Sequence, residues 1–109
     1  MKIYRNRMKK DEKIRSLKEI LSHRNEIISI AKSHGADNIR IFGSFVRGEQ
    51  TEDSDLDILA DIDASRNLLD QVALIRELED FLQIKIDIVE PECLHWYIKD
   101  KILHEAISL

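Results

Sequence analysis

The chain reads as a small α+β domain, and three observations carry that prediction. Apolar residues recur at helical spacing from Asp11 to His34, from about Arg66 to Leu82 and from about Cys93 to Ile107. Between them, three short runs alternate as strands do: Asn38 to Phe42, Asp55 to Ile62 and Ile84 to Val89. With three Gly and one Pro in the whole chain, the elements must be joined tersely.

In the first helical stretch Ile14, Leu17, Ile20 and Leu21, then Ile27, Ile28, Ile30 and Ala31, form one apolar stripe. Gly35 is expected to end it as a C-cap, and Ser22 offers a cap for a second helix if the stretch breaks near His23. The first strand delivers Gly43-Ser44 at its end; Ser44 to Arg47 then makes one helical turn, and Gly48 to Ser54 a polar loop. Ser65 is expected to cap the next helix, which buries Leu68, Val72, Ile75, Leu78 and Leu82. In the third strand Ile84, Ile86 and Ile88 share one face, and Lys85, Asp87 and Val89 the other. The final helix has a core stripe of Leu94, Ile98, Ile102 and Ala106. A second stripe of Trp96, Leu103 and Ile107 either packs under the N-terminal helix or docks another protein, for which Trp is a favoured anchor.

A chain of 109 residues holds one domain, expected over residues 11–109, without room for a separate substrate domain. The acceptor of any reaction must then come from outside it. Net charge is −4, so the surface as a whole is not that of a nucleic-acid binder, and no direct nucleic-acid binding is expected. Five of the first ten residues are Lys or Arg, which reads as a solvated, frayed terminal segment over residues 1–10, and Met8 is a second candidate start. Cys93 is the only cysteine and reads as a half-buried helix-start residue, so a disulfide or a thiolate zinc cluster within the chain is excluded and a reducing cytoplasm fits. No apolar run is long enough to span a bilayer, so no membrane association is expected.

Function is written mainly in residues 43–57. Gly43-Ser44 is followed by ten residues and then Asp55-Leu56-Asp57. A Gly-Ser turn opening a helix offers backbone N–H groups and a hydroxyl to phosphate oxygens. On a strand, Asp55 and Asp57 point to one face with Cα atoms about 6.6 Å apart, and two such carboxylates repel unless a cation lies between them. Hard oxygen ligands of this kind suit Mg²⁺, which binds one or two carboxylates together with substrate phosphates. The competing reading is a solvated strand end. With eleven Asp in the chain, roughly one Asp-x-Asp is expected by chance, and Asp53/Asp55 and Asp61/Asp63 match too. Adding the Gly-Ser at a fixed distance lowers that expectation to a few per thousand chains, on the order of such motif statistics. If Asp87 lies beside the Asp55/Asp57 strand, three carboxylates converge; otherwise it is an ordinary exposed residue of an amphipathic strand.

Ile41-Phe42-Gly43-Ser44-Phe45-Val46-Arg47-Gly48-Glu49, with Ser54-Asp55-Leu56-Asp57-Ile58-Leu59 and Ile86-Asp87-Ile88-Val89, resembles the minimal nucleotidyltransferases (MNT) of the DNA polymerase β superfamily. The resemblance runs from about Ile27 to the C-terminus, and the ending Ile98 to Ala106 is also similar to small MNT proteins. It implies a mixed sheet with helices mainly on one face and Mg²⁺-dependent transfer of a nucleoside monophosphate to a hydroxyl. For the antitoxin branch it implies transfer of AMP from ATP to a tyrosine of a HEPN ribonuclease toxin, with which the chain would form a heteromeric complex. Gly43 and Ser44 would hold the triphosphate. Asp55 and Asp57 would hold two metal ions, and Asp87 would ligate one and help deprotonate the acceptor. Every motif position is filled.

Around these residues, Arg47 either neutralises phosphate charge or is a surface arginine near Glu49 or Glu52. Asp61 shares strand parity with Asp57 but is expected outside the site. His23, His34, His95 and His104 lack ligand spacing and read as ordinary residues. Two other functions compete with adenylyl transfer to a toxin: inhibition by binding alone, and nucleotidyl transfer to a small molecule or RNA.

Overall fold

The first helical stretch folds as two helices, α1 (Leu17–Ser22) and α2 (Arg24–Ser33), with His23 as the joint. The computed structural model describes residues 16–109; the basic segment 1–10, the alternative start at Met8 and the start of the helical stripe at Asp11 and Ile14 lie outside them. Ser16 caps α1 by accepting from the Glu19 N–H. Ser22, expected as a cap, is instead the last residue of α1 and donates its hydroxyl back to the Glu19 carbonyl, while His23 caps α2 without a side-chain bond. The His23 ring meets Phe81 edge-on at 5.6 Å between centroids. His34 is the C-cap of α2, with Gly35 following at φ 78°.

Strand β1 (Ala36–Phe42) pairs antiparallel with β2 (Leu56–Ile62), and β2 pairs parallel with β3 (Ile86–Val89). Between β1 and β2 lies the single turn α3 (Ser44–Arg47), and between β2 and β3 the helix α4 (Leu68–Leu82). After β3 come a 3₁₀ turn at Pro91–Cys93, helix α5 (Trp96–Glu105) and a fourth strand, β4 (Ile107–Ser108), antiparallel to β1. The sheet order is β3-β2-β1-β4, a mixed sheet within an α+β fold.

Strand β4 was not expected, because Ile107 continues the helical spacing of Trp96 and Leu103. Ala106 instead turns extended, and the two following residues cover an otherwise open edge of β1, with Ile107 opposite Ile41 and Ser108 opposite Arg40. Pairing of the edge overrides local helical periodicity here.

Alternation along β2 sorts the sheet into two faces. Leu56, Ile58 and Ala60 join Ile20, Ile27, Ile30, Ala31, Ile39, Ile41, Leu74, Leu78, Phe81 and Leu82 in one apolar cluster under the helices. Each large side chain fully buried there contributes about 1.5–3 kcal/mol. Asp57, of opposite parity, is left to the other face.

Helix α4 corrects two expectations. Its cap is Asn67 rather than Ser65, in a capping box: the Asn67 side chain accepts from the Asp70 N–H, and Asp70 accepts from the Asn67 N–H. Ser65 instead donates its N–H and hydroxyl to Asp63, holding that carboxyl below its usual range. The buried residues are Leu74, Leu78, Phe81 and Leu82; Leu68 is 72% exposed and Val72 is also exposed. Two overlapping helical stripes exist in this segment, and contact with α2 and β3 selects the one nearer the C-terminus. At α5, Trp96 is 81% exposed and Leu103 is exposed too, while Ile107 pairs with β1, so among the described residues this stripe does not pack under the N-terminal helix. Cys93 is exposed rather than half-buried, as the last residue of the 3₁₀ turn rather than the first of the helix.

Candidate active site

The end of β1 sets the geometry. Gly43 caps α3 with φ 81° and ψ −151°, a combination open only to glycine. A Cβ here would also overlap the Asp57 carboxylate. Glycine is therefore needed twice at this position, for its backbone angles and for the approach of the acid. The Val46 and Arg47 N–H groups bond the Gly43 carbonyl. Those of Ser44 and Phe45, with the Ser44 hydroxyl, have no partner among the described residues. With only one turn of helix behind them, these local donors matter more than a summed dipole.

Asp57 lies opposite Phe42 across the antiparallel pair and opposite Asp87 across the parallel pair. Asp55 lies one residue ahead of β2, whose first ladder bond runs from the Leu56 N–H to the Lys85 carbonyl at 2.8 Å. The three acids predicted from the sequence are thus brought together with the Gly43-Ser44 turn. Asp57 is half-buried; Asp55 and Asp87 are exposed. Partial burial, then the nearby Asp87 and Asp55, raise the Asp57 carboxyl above its usual range, with Glu105 adding to the effect and Arg47 opposing it. None of the three carboxylates has a hydrogen-bond or ion-pair partner among the described residues.

Such an uncompensated acid group fits a divalent cation. No three His, Cys, Asp or Glu side chains among the described residues form a ready-made cage. Mg²⁺ does not require one, since it keeps waters and takes oxygens from the phosphate it accompanies. A groove of about 780 Å³ reaches the site at Asp55, lined also by Thr51, Asp53, Glu79, Gln83 and Lys85.

Arg47 is held by two carboxylates: its Nε donates to Glu49 at 2.7 Å and its Nη1 to Glu105 at 2.8 Å. The Glu49 neighbour was foreseen; Glu105 was not. Asp61 lies outside the site as expected, accepting from Asn38 and Arg40 on the surface. His34 pairs with Glu77, which is not one of the motif residues, and His95 and His104 are exposed.

A mixed sheet carrying opposed acids beside a Gly-Ser turn is the framework of a phosphate-handling, nucleotide-transferring enzyme, and known proteins bear this out. Residues 14–109 match the model of the nucleotidyltransferase domain. A relative from Methanocaldococcus jannaschii, MJ0435, provisionally named a protein adenylyltransferase, is 41% identical over 79% of this chain and 92% of its own length. A solved structure provisionally described as a minimal nucleotidyltransferase superposes with a TM-score of 0.77 at 39% identity, covering 87% of this chain and 97% of that one. A more distant likeness, of fold alone, is to a chain in the complex of a tri-AMPylated Shewanella oneidensis HEPN toxin with an MNT antitoxin: TM-score 0.60, 17% identity, 81% of this chain and 69% of that one. The chain belongs to the nucleotidyltransferase domain family. Among the described residues no helix is long and apolar enough to cross a membrane.

Proposed function

We propose that this protein is an MNT-type antitoxin that transfers AMP from ATP to a tyrosine hydroxyl of a cognate HEPN toxin and so neutralises it. The observation that carries this reading is the opposition of Asp57 and Asp87, with Asp55 beside them, next to the Ser44 and Phe45 donors that have no partner among the described residues. The protein adenylyltransferase name of the Methanocaldococcus relative and the AMPylated toxin in the Shewanella complex support the choice of AMP and of a protein acceptor.

In this mechanism Gly43 and Ser44 seat the triphosphate through backbone N–H groups and the Ser44 hydroxyl. Asp55, Asp57 and Asp87 would hold Mg²⁺, expected as two ions, which when bound supplies charge stabilisation for the attacking and departing oxygens. The acceptor oxygen attacks the α-phosphorus, the bond from that phosphorus to the bridging oxygen breaks, and pyrophosphate leaves. Asp87, the most exposed of the paired acids, assists removal of the acceptor proton. A tyrosine is a suitable acceptor because its hydroxyl ionises near pH 10, well below an aliphatic alcohol.

Intact mass spectrometry of a HEPN protein encoded beside this chain, after incubation with the chain, Mg²⁺ and ATP, tests the proposal. A gain of about 329 Da per acceptor, the mass of AMP added with loss of pyrophosphate, is expected. A stable complex without mass gain would favour inhibition by binding; neither complex nor gain would favour a small-molecule or RNA acceptor.

A further inference from the structure

One carboxylate from the far end of the chain reaches the phosphate seat. Glu105, the last residue of α5, accepts from the Gly43 N–H at 2.9 Å with Oε2 and from Arg47 Nη1 at 2.8 Å with Oε1. Gly43 is the cap of α3 and Arg47 its last residue, so a single side chain grips both ends of the turn. The Glu105 side chain is only 13% exposed, which limits solvent competition for both bonds.

The backbone explains why an acid is needed there. In an antiparallel pair, alternate residues present their main-chain groups to the same neighbour. The Ile39 carbonyl accepts from the Leu109 N–H and Ile41 is paired with Ile107, so Gly43 is next in the series that faces β4. Strand β4 begins only at Ile107, and no strand residue remains to meet the Gly43 N–H. The Glu105 side chain takes the place of the missing rung. In doing so it leaves the Ser44 and Phe45 donors uncommitted, and it shares with Glu49 the hold on the Arg47 guanidinium, tying that side chain to the cap of the turn as well as to its own neighbour.

We propose that Glu105 is a positioning residue for nucleotide binding: it locks Gly43 and Arg47 so that the α3 turn is preformed for the triphosphate. Arg47 then acts chiefly as the second anchor of that lock. This rests on the nucleotide reading above, and it adds a residue from the C-terminal helix to a site otherwise built from residues 43 to 87.

The test compares wild type, E105A and E105Q of the full chain by calorimetric titration with Mg²⁺–ATP and by the KM and kcat for ATP in transfer. E105A is expected to weaken Mg²⁺–ATP binding and raise KM by roughly tenfold or more, with a much smaller change in kcat, as loss of a charge-assisted pair of bonds implies. E105Q, which keeps an acceptor for the Gly43 N–H but not the charge facing Arg47, is expected between the two. A residue that served folding alone would lower thermal stability and leave KM in place. Folded E105A with wild-type affinity and KM overturns the proposal. If E105A does not fold, E105Q decides by the same criterion. Failure of the wild type itself to bind Mg²⁺–ATP would instead overturn the nucleotide reading, and the proposal with it.

Discussion

Asp57 and Asp87 are direct partners across the parallel pair of β2 and β3. Residues so paired share a face of the sheet, so their charges crowd on the side away from the apolar cluster. Among the described residues neither carboxylate has a hydrogen-bond or ion-pair partner, and Arg47 opposes the repulsion at Asp57 without cancelling it, which is the pattern expected where a bound cation completes the charge balance.

Gly43 should not tolerate even the smallest side chain. In G43A the backbone angles cost about 1–3 kcal/mol, and the added methyl displaces the Asp57 carboxylate. Nucleotide affinity and transfer are both expected to fall at least tenfold, with the circular dichroism of the folded protein retained. Wild-type kinetics in a folded G43A would show that the Gly43–Asp57 approach has no role.

Acid pH should expose the Glu105 clamp. Burial pushes its carboxyl up, but the Arg47 guanidinium and the Gly43 N–H pull it down further, and the net shift is below the usual range. A depressed carboxyl stabilises the fold above its unfolded pKa and loses that contribution as pH falls through its folded pKa. The stability advantage of wild type over E105Q in urea should therefore be constant above about pH 5 and shrink on acidification. A difference that stays level into the acid limb would contradict the pairing.

Substitutions under the helices should separate stability from chemistry. N67A removes the α4 cap and is expected to cost about 1 kcal/mol. F81A empties a fully buried site and is expected to cost about 3–5 kcal/mol. The folded fraction of N67A should transfer nucleotide at the wild-type rate. A large loss in kcat for N67A would mean that the cap reaches the site in a way the fold does not suggest.

Among the described residues, Trp96 and Tyr97 are the exposed large aromatic side chains, with ring centroids 5.8 Å apart. If this end of α5 meets the HEPN partner, W96A should weaken the complex by about 2 kcal/mol or more while leaving the melting temperature of the free protein unchanged. Unaltered partner affinity in a folded W96A would remove the aromatic pair from the interface.

The candidate site was more legible in the sequence than the details of the architecture around it. Gly43, Ser44, Asp55 and Asp57 fall within fifteen residues and have a fixed spacing, so their proximity follows from local geometry. Asp87 is recognisable by parity, although its placement opposite Asp57 required the parallel pairing of β2 and β3. Strand β4 and the choice of buried face on α4 were not legible, because each offers a sound local alternative that only tertiary contact rejects. Glu105 was missed for a related reason. Its partners lie 62 and 58 residues away, and an acid at the end of a helix has no sequence pattern of its own.

The most direct test of nucleotidyl transfer through the Asp55–Asp57–Asp87 group uses ATP labelled separately at the α- and γ-phosphates, with a HEPN partner, Mg²⁺ and either wild type or D57N. The α-label alone should become fixed to the partner with wild type. With D57N it should fall roughly a thousandfold, since metal-assisted charge stabilisation contributes several kcal/mol at tenfold per 1.36 kcal/mol. Transfer of the γ-label, or α-label transfer at full rate by D57N, would contradict the assignment.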